Sequence, residues 1–196
     1  MTRRSVLVTA AFALALTACT TTTTTGTGEV LDEVDIPVDL LHDAGAARRA
    51  LADIEDRVGG TPAQVSDITI YPEYMIVEAQ DPNILDHIDS YTWRDDSVES
   101  PDPVHLSGPQ EEVDASLYPT TAVDLRELPN IVRAAEDRLE NTRPIRVEQA
   151  RVTYLYIMRD TSLDGRVVIR ISVTGPRRSG NVIATASGEI LEATVS

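Results

Sequence analysis

Lysine is absent from the 196 residues, cysteine, phenylalanine and tryptophan occur once each, and histidine occurs three times. A single cysteine excludes an internal disulfide, a cysteine-ligated metal cluster and a redox dithiol, so packing alone must hold the fold. No Gly-x-x-x-x-Gly-Lys loop, Gly-x-Gly-x-x-Gly turn, His-Glu-x-x-His pair or Gly-x-Ser-x-Gly elbow is present, and no cofactor is expected. Long hydrophobic runs are missing too. The longest low-polarity stretch, Val6 to Leu16, has eleven residues and as a helix would rise about 16 Å, roughly half of a bilayer core. Bases are few: 17, all arginine, against 32 acids, for a net charge of −15. The arginine-only usage reads as codon bias of a GC-rich genome. The charge argues against a nucleic-acid partner, which needs a dominant basic surface. What is present, 42% apolar residues over this length, is enough for a globular core in one large domain or two small ones.

The amino terminus reads as an address. Arg3 and Arg4 precede the Val6 to Leu16 run, and Leu16-Thr17-Ala18-Cys19 follows, the order of a positive n-region, a short h-region and a small-residue cleavage site. The tetrapeptide resembles the bacterial lipobox. That resemblance implies removal of residues 1–18 and attachment of a diacylglycerol to the Cys19 thiol, with acyl chains such as palmitate, on the extracytoplasmic face of the cell membrane. Two or more acyl chains suffice for stable anchoring. Residues 19–38, opening with Thr20 to Thr25, form a low-complexity tether, a spacer or a site of O-linked sugar. Without the leader the net charge is −17, which holds the globule off an anionic membrane surface.

Two amphipathic helices stand out. In the first, Ala47, Leu51, Ile54 and Val58 recur at helical spacing between a capping Asp43 and Gly59-Gly60; in the second, Leu128, Ile131, Val132, Ala135 and Leu139 follow the same rule, with Pro129 in the first turn and Asn141 and Pro144 at the end. Glu55-Asp56-Arg57-Val58 matches Glu136-Asp137-Arg138-Leu139, 81 residues on. Strands follow both helices: Val65 to Val77 aligns with Val147 to Arg159, placing Tyr74 on Tyr156; His87 to Trp93 corresponds to Val167 to Val173; Val104 to Leu106 with Val113 to Leu117 corresponds to Val182 to Glu192. Asp164-Gly165 marks a turn. The expected fold is α+β, two tandem repeats of a helix followed by three or four antiparallel strands, over residues 40–118 and 122–196, with the helices on one face of one or two sheets.

By element order this arrangement resembles the tandem modules of secreted β-lactamase-inhibitory proteins and, more loosely, PepSY-type domains; neither likeness carries residues across. Tyr91-Thr92-Trp93-Arg94, Pro103-Val104-His105-Leu106-Ser107-Gly108 and Ala115-Ser116-Leu117-Tyr118-Pro119 are similar to segments of lipoproteins from high-GC Gram-positive bacteria. That resemblance implies location and fold and no particular activity.

Candidate chemistry is sparse. Strand alternation puts His87 and Asp89 on one face with Tyr91 and Trp93 beyond, and a metal-dependent hydrolase would require His105 to join them; the spacing satisfies no metal rule, so solvated strand residues and no metal site are expected. Tyr154 and Tyr156 share a face with Val152 and Met158 on alternation, and a core role with the hydroxyl at the surface competes with a binding platform. Charge is uneven: Tyr71 to Glu112 carries −10 and Arg143 to Arg178 carries +5. Arg151 and Arg159 flank the tyrosine strand, and Arg177 and Arg178 sit at a hairpin tip. Arg151, Tyr154, Tyr156, Arg159, Arg177 and Arg178 are therefore the candidate binding residues, for a protein or an anionic wall polymer. Charge pairing between the halves, within or between molecules, is the competing account. The expected function is a lipid-anchored, non-enzymatic binding or scaffold module of the envelope; the alternative is an inhibitor of a secreted enzyme acting through the 175–180 loop.

Overall fold

The computed structural model describes residues 38–196. Cys19, its leader and nearly all of the tether lie outside the described residues. Among the described residues three α-helices, α1 (Ala44–Val58), α2 (Gln110–Ser116) and α3 (Leu128–Glu140), accompany ten strands. The first six strands are β1 (Gln64–Ile70), β2 (Tyr74–Gln80), β3 (Ile88–Arg94), β4 (Ser97–Val98), β5 (Asp102–Pro103) and β6 (Tyr118–Pro119). The last four are β7 (Arg151–Asp160), β8 (Arg166–Thr174), β9 (Ser179–Thr185) and β10 (Ile190–Val195).

Local chemistry accounts for the helices. Asp43 Oδ1 accepts the Gly45 and Ala46 N–H groups at 2.8 and 3.0 Å, satisfying donors that the first turn leaves open. Gly59 ends α1 at φ 87°, a backbone that costs glycine nothing. On α3 the whole expected stripe, Leu128, Ile131, Val132, Ala135 and Leu139, is buried; on α1 the buried stripe is Ala46, Ala47, Ala50, Ile54 and Val58, with Leu51 at its margin.

All strands join one antiparallel sheet in the order β10-β9-β8-β7-β1-β2-β3-β4, with β5 added to β3 and β6 to β1. The two halves thus meet at β1 and β7 and form a continuous sheet. There Ile68 faces Ile157, Thr69 faces Tyr156 and Ile70 faces Leu155, so the register reads the same from either strand about the Thr69/Tyr156 pair. Each strand also carries a β-bulge at the matching place, between Val65 and Asp67 in β1 and between Val152 and Tyr154 in β7. Ile68, Ile70, Met75, Val77, Leu155, Ile157, Ile169, Ile171 and Val182 point to the side carrying α1 and α3 and are buried with both helices in one core. At about 1.5–3 kcal/mol for each fully buried aliphatic side chain, that shared core ties the halves together.

Several expectations need correction. Val65 to Val77 is not one strand: Pro72 interrupts it, the Tyr71 N–H donates to the Tyr74 carbonyl at 2.9 Å, and a hairpin separates β1 from β2. Tyr74 therefore lies on β2 opposite Arg94, and the residue opposite Tyr156 on β1 is Thr69. Val147 lies in the α3–β7 connection, its N–H on the Leu139 carbonyl at 3.1 Å, and the strand starts only at Arg151. Val113 to Leu117 belongs mostly to α2, where Glu111 and Glu112 favour the first turn. Val182 to Glu192, by contrast, is the expected strand pairing, β9 with β10 around a turn in which Gly188 takes φ 88°. Val152 does not share a face with Tyr154, because the bulge residue between them reverses the alternation.

Candidate functional site: the helix-free face of the sheet

The seven aromatic residues of the described chain divide between the two faces. Tyr91, Trp93 and Tyr118 are buried beneath the helices or in the core; Trp93 Nε1 donates to Asp53 Oδ2 at 2.9 Å and the Tyr118 hydroxyl to the Ile157 carbonyl at 2.8 Å. Tyr71, Tyr74, Tyr154 and Tyr156 lie on the face that carries neither α1 nor α3, helix-free in that sense alone, since α2 touches β7. Strand alternation puts them there: each neighbours a residue, Ile70, Met75 or Leu155, whose side chain fills the core.

Three cross-strand rows pave this face. The first is aromatic: Tyr154 stacks on Tyr71 with ring centroids 5.3 Å apart, Tyr71 stacks on Tyr74 at 4.3 Å, and the Arg94 guanidinium sits 4.5 Å over the Tyr74 ring. Stacked rings and a cation over the last one stabilise each other by about 0.5–1.5 kcal/mol per contact. Tyr154 remains 38% exposed. The second row runs Arg170, Tyr156, Thr69, Ile76 and Thr92.

The third row holds Met158, Asp67, Glu78 and Ser90. Here burial and the facing Glu78 carboxylate push the Asp67 carboxyl up to about 7, with the Tyr156 hydroxyl opposing the shift. Burial and the same carboxylates push the Tyr156 hydroxyl up to about 12. Near neutral pH the Asp67 carboxyl is therefore part-protonated, which relieves its repulsion from Glu78. At the edge of the face Arg170 donates to Asp160 Oδ2 at 2.6 Å, and Ser162 adds two further bonds; these hold the buried Asp160 carboxyl below its ordinary value.

The candidate residues from the sequence fall in three places. Tyr154 and Tyr156 lie on the helix-free face. Arg159 is occupied within the fold, donating to the Leu117 carbonyl at 3.0 and 3.2 Å and to the Gly165 carbonyl at 2.9 Å, and Arg151 donates to the Ala150 carbonyl at 3.0 Å. Arg177 and Arg178 lie at the β8–β9 turn, against the α3–β7 connection. The 175–180 loop is therefore folded onto a neighbouring segment rather than projecting freely.

His87 and Asp89 border a shallow depression with Val104 and Leu106, which His105 does not line, and Tyr91 and Trp93 are buried. Among the described residues no three His, Cys, Asp or Glu side chains gather as a metal site would need. No ion pair joins the acidic stretch 71–112 to the basic stretch 143–178; the pairs formed there are local, as in Arg146–Glu148 and Arg170–Asp160. At ion-pair distance the two stretches therefore do not meet among the described residues. Tyr71, Tyr74, Arg94, Asp67 and Glu78 are not among the binding residues expected from the sequence, although Tyr74 is matched there to Tyr156. Recognising Tyr71-Pro72-Glu73-Tyr74 as a turn would have brought the first two together.

No protein-family model matches the chain, and no curated protein is similar to it in sequence. Among solved structures it is similar to one described as a "putative lipoprotein (CD1622) from Clostridium difficile 630", with a TM-score of 0.53 and 12% identity over 85% of this chain and 98% of that one. At that identity the likeness is one of fold. Among the described residues no helix is long and apolar enough to cross a membrane.

Proposed function

We propose that the chain is a lipid-anchored protein of the extracytoplasmic membrane face, attached through Cys19, and that it acts as a non-enzymatic binding module whose partner docks on the helix-free face of the sheet. The anchoring part rests on the lipobox-like Leu16-Thr17-Ala18-Cys19 and agrees with the description of the similar structure as a lipoprotein. The binding part rests on one observation: four of the six tyrosines line the sheet face opposite α1 and α3, three of them stacked in a row ended by Arg94, with Tyr154 exposed. Rings held by their neighbours present area at low entropic cost, which is why tyrosine and arginine dominate recognition surfaces.

A photo-crosslinking amino acid in place of Tyr154 in the full chain, expressed in cells, tests the face, with the same group in place of the exposed Arg133 on α3 as reference. A discrete adduct from position 154 and none from 133 is the expected result. The same adducts from both positions, or none from 154, would overturn the reading.

A further inference from the structure

We infer that the end of the sheet holds a second site, a pocket for a phosphate-bearing group built by the α3–β7 connection and the β8–β9 turn. It goes beyond the sheet-face reading, uses other residues, and stands or falls separately. Four arginines from two segments some thirty residues apart, Arg143 and Arg146 on one and Arg177 and Arg178 on the other, line a single pocket of about 390 Å³, with Glu148 as its one acid. That is the size of a small-molecule site.

The two segments are held together by close backbone approach. A Cβ on Gly175 would lie 2.3 Å from the Glu148 carbonyl oxygen and 2.8 Å from Val147 Cγ1, so the turn can lie flush on the connection only because residue 175 has no side chain. The Gly175 N–H also donates to the Arg178 carbonyl at 2.8 Å, closing the turn that presents Arg177 and Arg178.

Only one of the four arginines is neutralised locally: Arg146 meets Glu148 at 3.1 Å. Arg143, Arg177 and Arg178 have no carboxylate at ion-pair distance among the described residues. In a chain where acids outnumber bases 32 to 17, unpaired like charges converging in one depression are unfavourable unless an anion joins them. A carboxylate, with two oxygens, is saturated by one or two guanidinium forks; a phosphate group offers oxygens in more directions and accommodates more of them. Pro144, Ile145 and Pro176 also line the pocket, Ile145 being 46% exposed, and supply apolar surface for the carbon skeleton bearing the phosphate. The chemical class is thus a polyol or sugar phosphate, free, in a phosphodiester polymer, or as a lipid headgroup.

Binding of the full chain in detergent to a glycerol-phosphate oligomer tests this directly, and vesicles with and without phosphatidylglycerol separate the lipid source from the soluble one. Poly-glutamate of matched charge serves as competitor. The expected result is binding to the oligomer or to the phosphatidylglycerol vesicles that falls at least tenfold in Arg177→Gln/Arg178→Gln. The same binding should persist in Arg48→Gln/Arg49→Gln, which removes equal charge from the exposed face of α1, and should resist poly-glutamate. No binding to either probe, equal loss in both double variants, or equal competition by poly-glutamate would overturn the proposal. All four arginines are exposed, so folding is not at issue.

Discussion

Asp67 on β1 and Glu78 on β2 stand directly opposite each other on the helix-free face, and Ser66, the bulge residue beside Asp67, donates to Glu78 Oε2 at 3.3 Å. Like charges so placed repel, and together with burial this favours the protonated Asp67 carboxyl. Because the Asp67 carboxyl rises to about 7 from an ordinary 3.8, the folded state binds this proton more tightly than the unfolded chain. Its contribution is therefore present below pH 3.8 and is lost as pH rises to about 7. Thermal midpoints should fall between pH 5 and pH 8, and Asp67→Asn should flatten that slope. An unchanged slope in the variant would remove Asp67 as its source.

The opposite limb belongs to Asp160. Its carboxyl is held below 3.8 by the Ser162 and Arg170 hydrogen bonds, so the stability it contributes is present at neutral pH and is lost as pH falls through and below that value. Arg170→Gln should bring acid unfolding to a higher pH, measured by circular dichroism across an acid titration.

Trp93 should report on α1 docking. Its indole N–H is held by Asp53, whose side chain is otherwise on an exposed part of the helix. Replacing such an exposed aspartate by alanine normally costs nothing, by helix propensity alone. Here Asp53→Ala leaves the buried donor unpaired and should cost about 1–3 kcal/mol in urea unfolding. In a Trp93→Phe background the same change should cost close to zero. Equal costs in the two backgrounds would mean that the bond does not couple the residues.

Gly180 on β9 is a contact point between sheet and helix. A Cβ there would lie 2.6 Å from the Thr194 carbonyl oxygen and 2.9 Å from Leu139 Cδ1. Gly180→Ala should destabilise by about 1–3 kcal/mol, the usual cost of overfilling a packed interior. Chemical denaturation of the variant measures it.

Cys19→Ser should release the chain from the membrane fraction, since no helix among the described residues is suited to crossing a bilayer and the acyl chains would be the attachment. Membrane retention of the variant, assayed by fractionation and labelling with an alkyne fatty acid, would count against lipid attachment.

What the sequence by itself determined is local. The α3 stripe, the Asp43 cap and Gly59 as helix terminator were all legible, as was a strand over Val167 to Val173. Side-chain periodicity and capping depend on backbone dihedrals within a few residues. Tertiary structure decided the rest. That β1 pairs with β7, making one sheet of two halves, depends on which backbone donors find which acceptors across the whole chain. The bulge after Val152 turned a strict alternation over and sent Tyr154 to the open side. Tyrosine suits either face of a sheet, so only tertiary packing separates buried Tyr91 and Tyr118 from the half-buried Tyr71 and Tyr74 and the exposed Tyr154. The meeting of Arg143 and Arg146 with Arg177 and Arg178 likewise needed Gly175 to seat one turn on another, a close approach that strand periodicity does not encode.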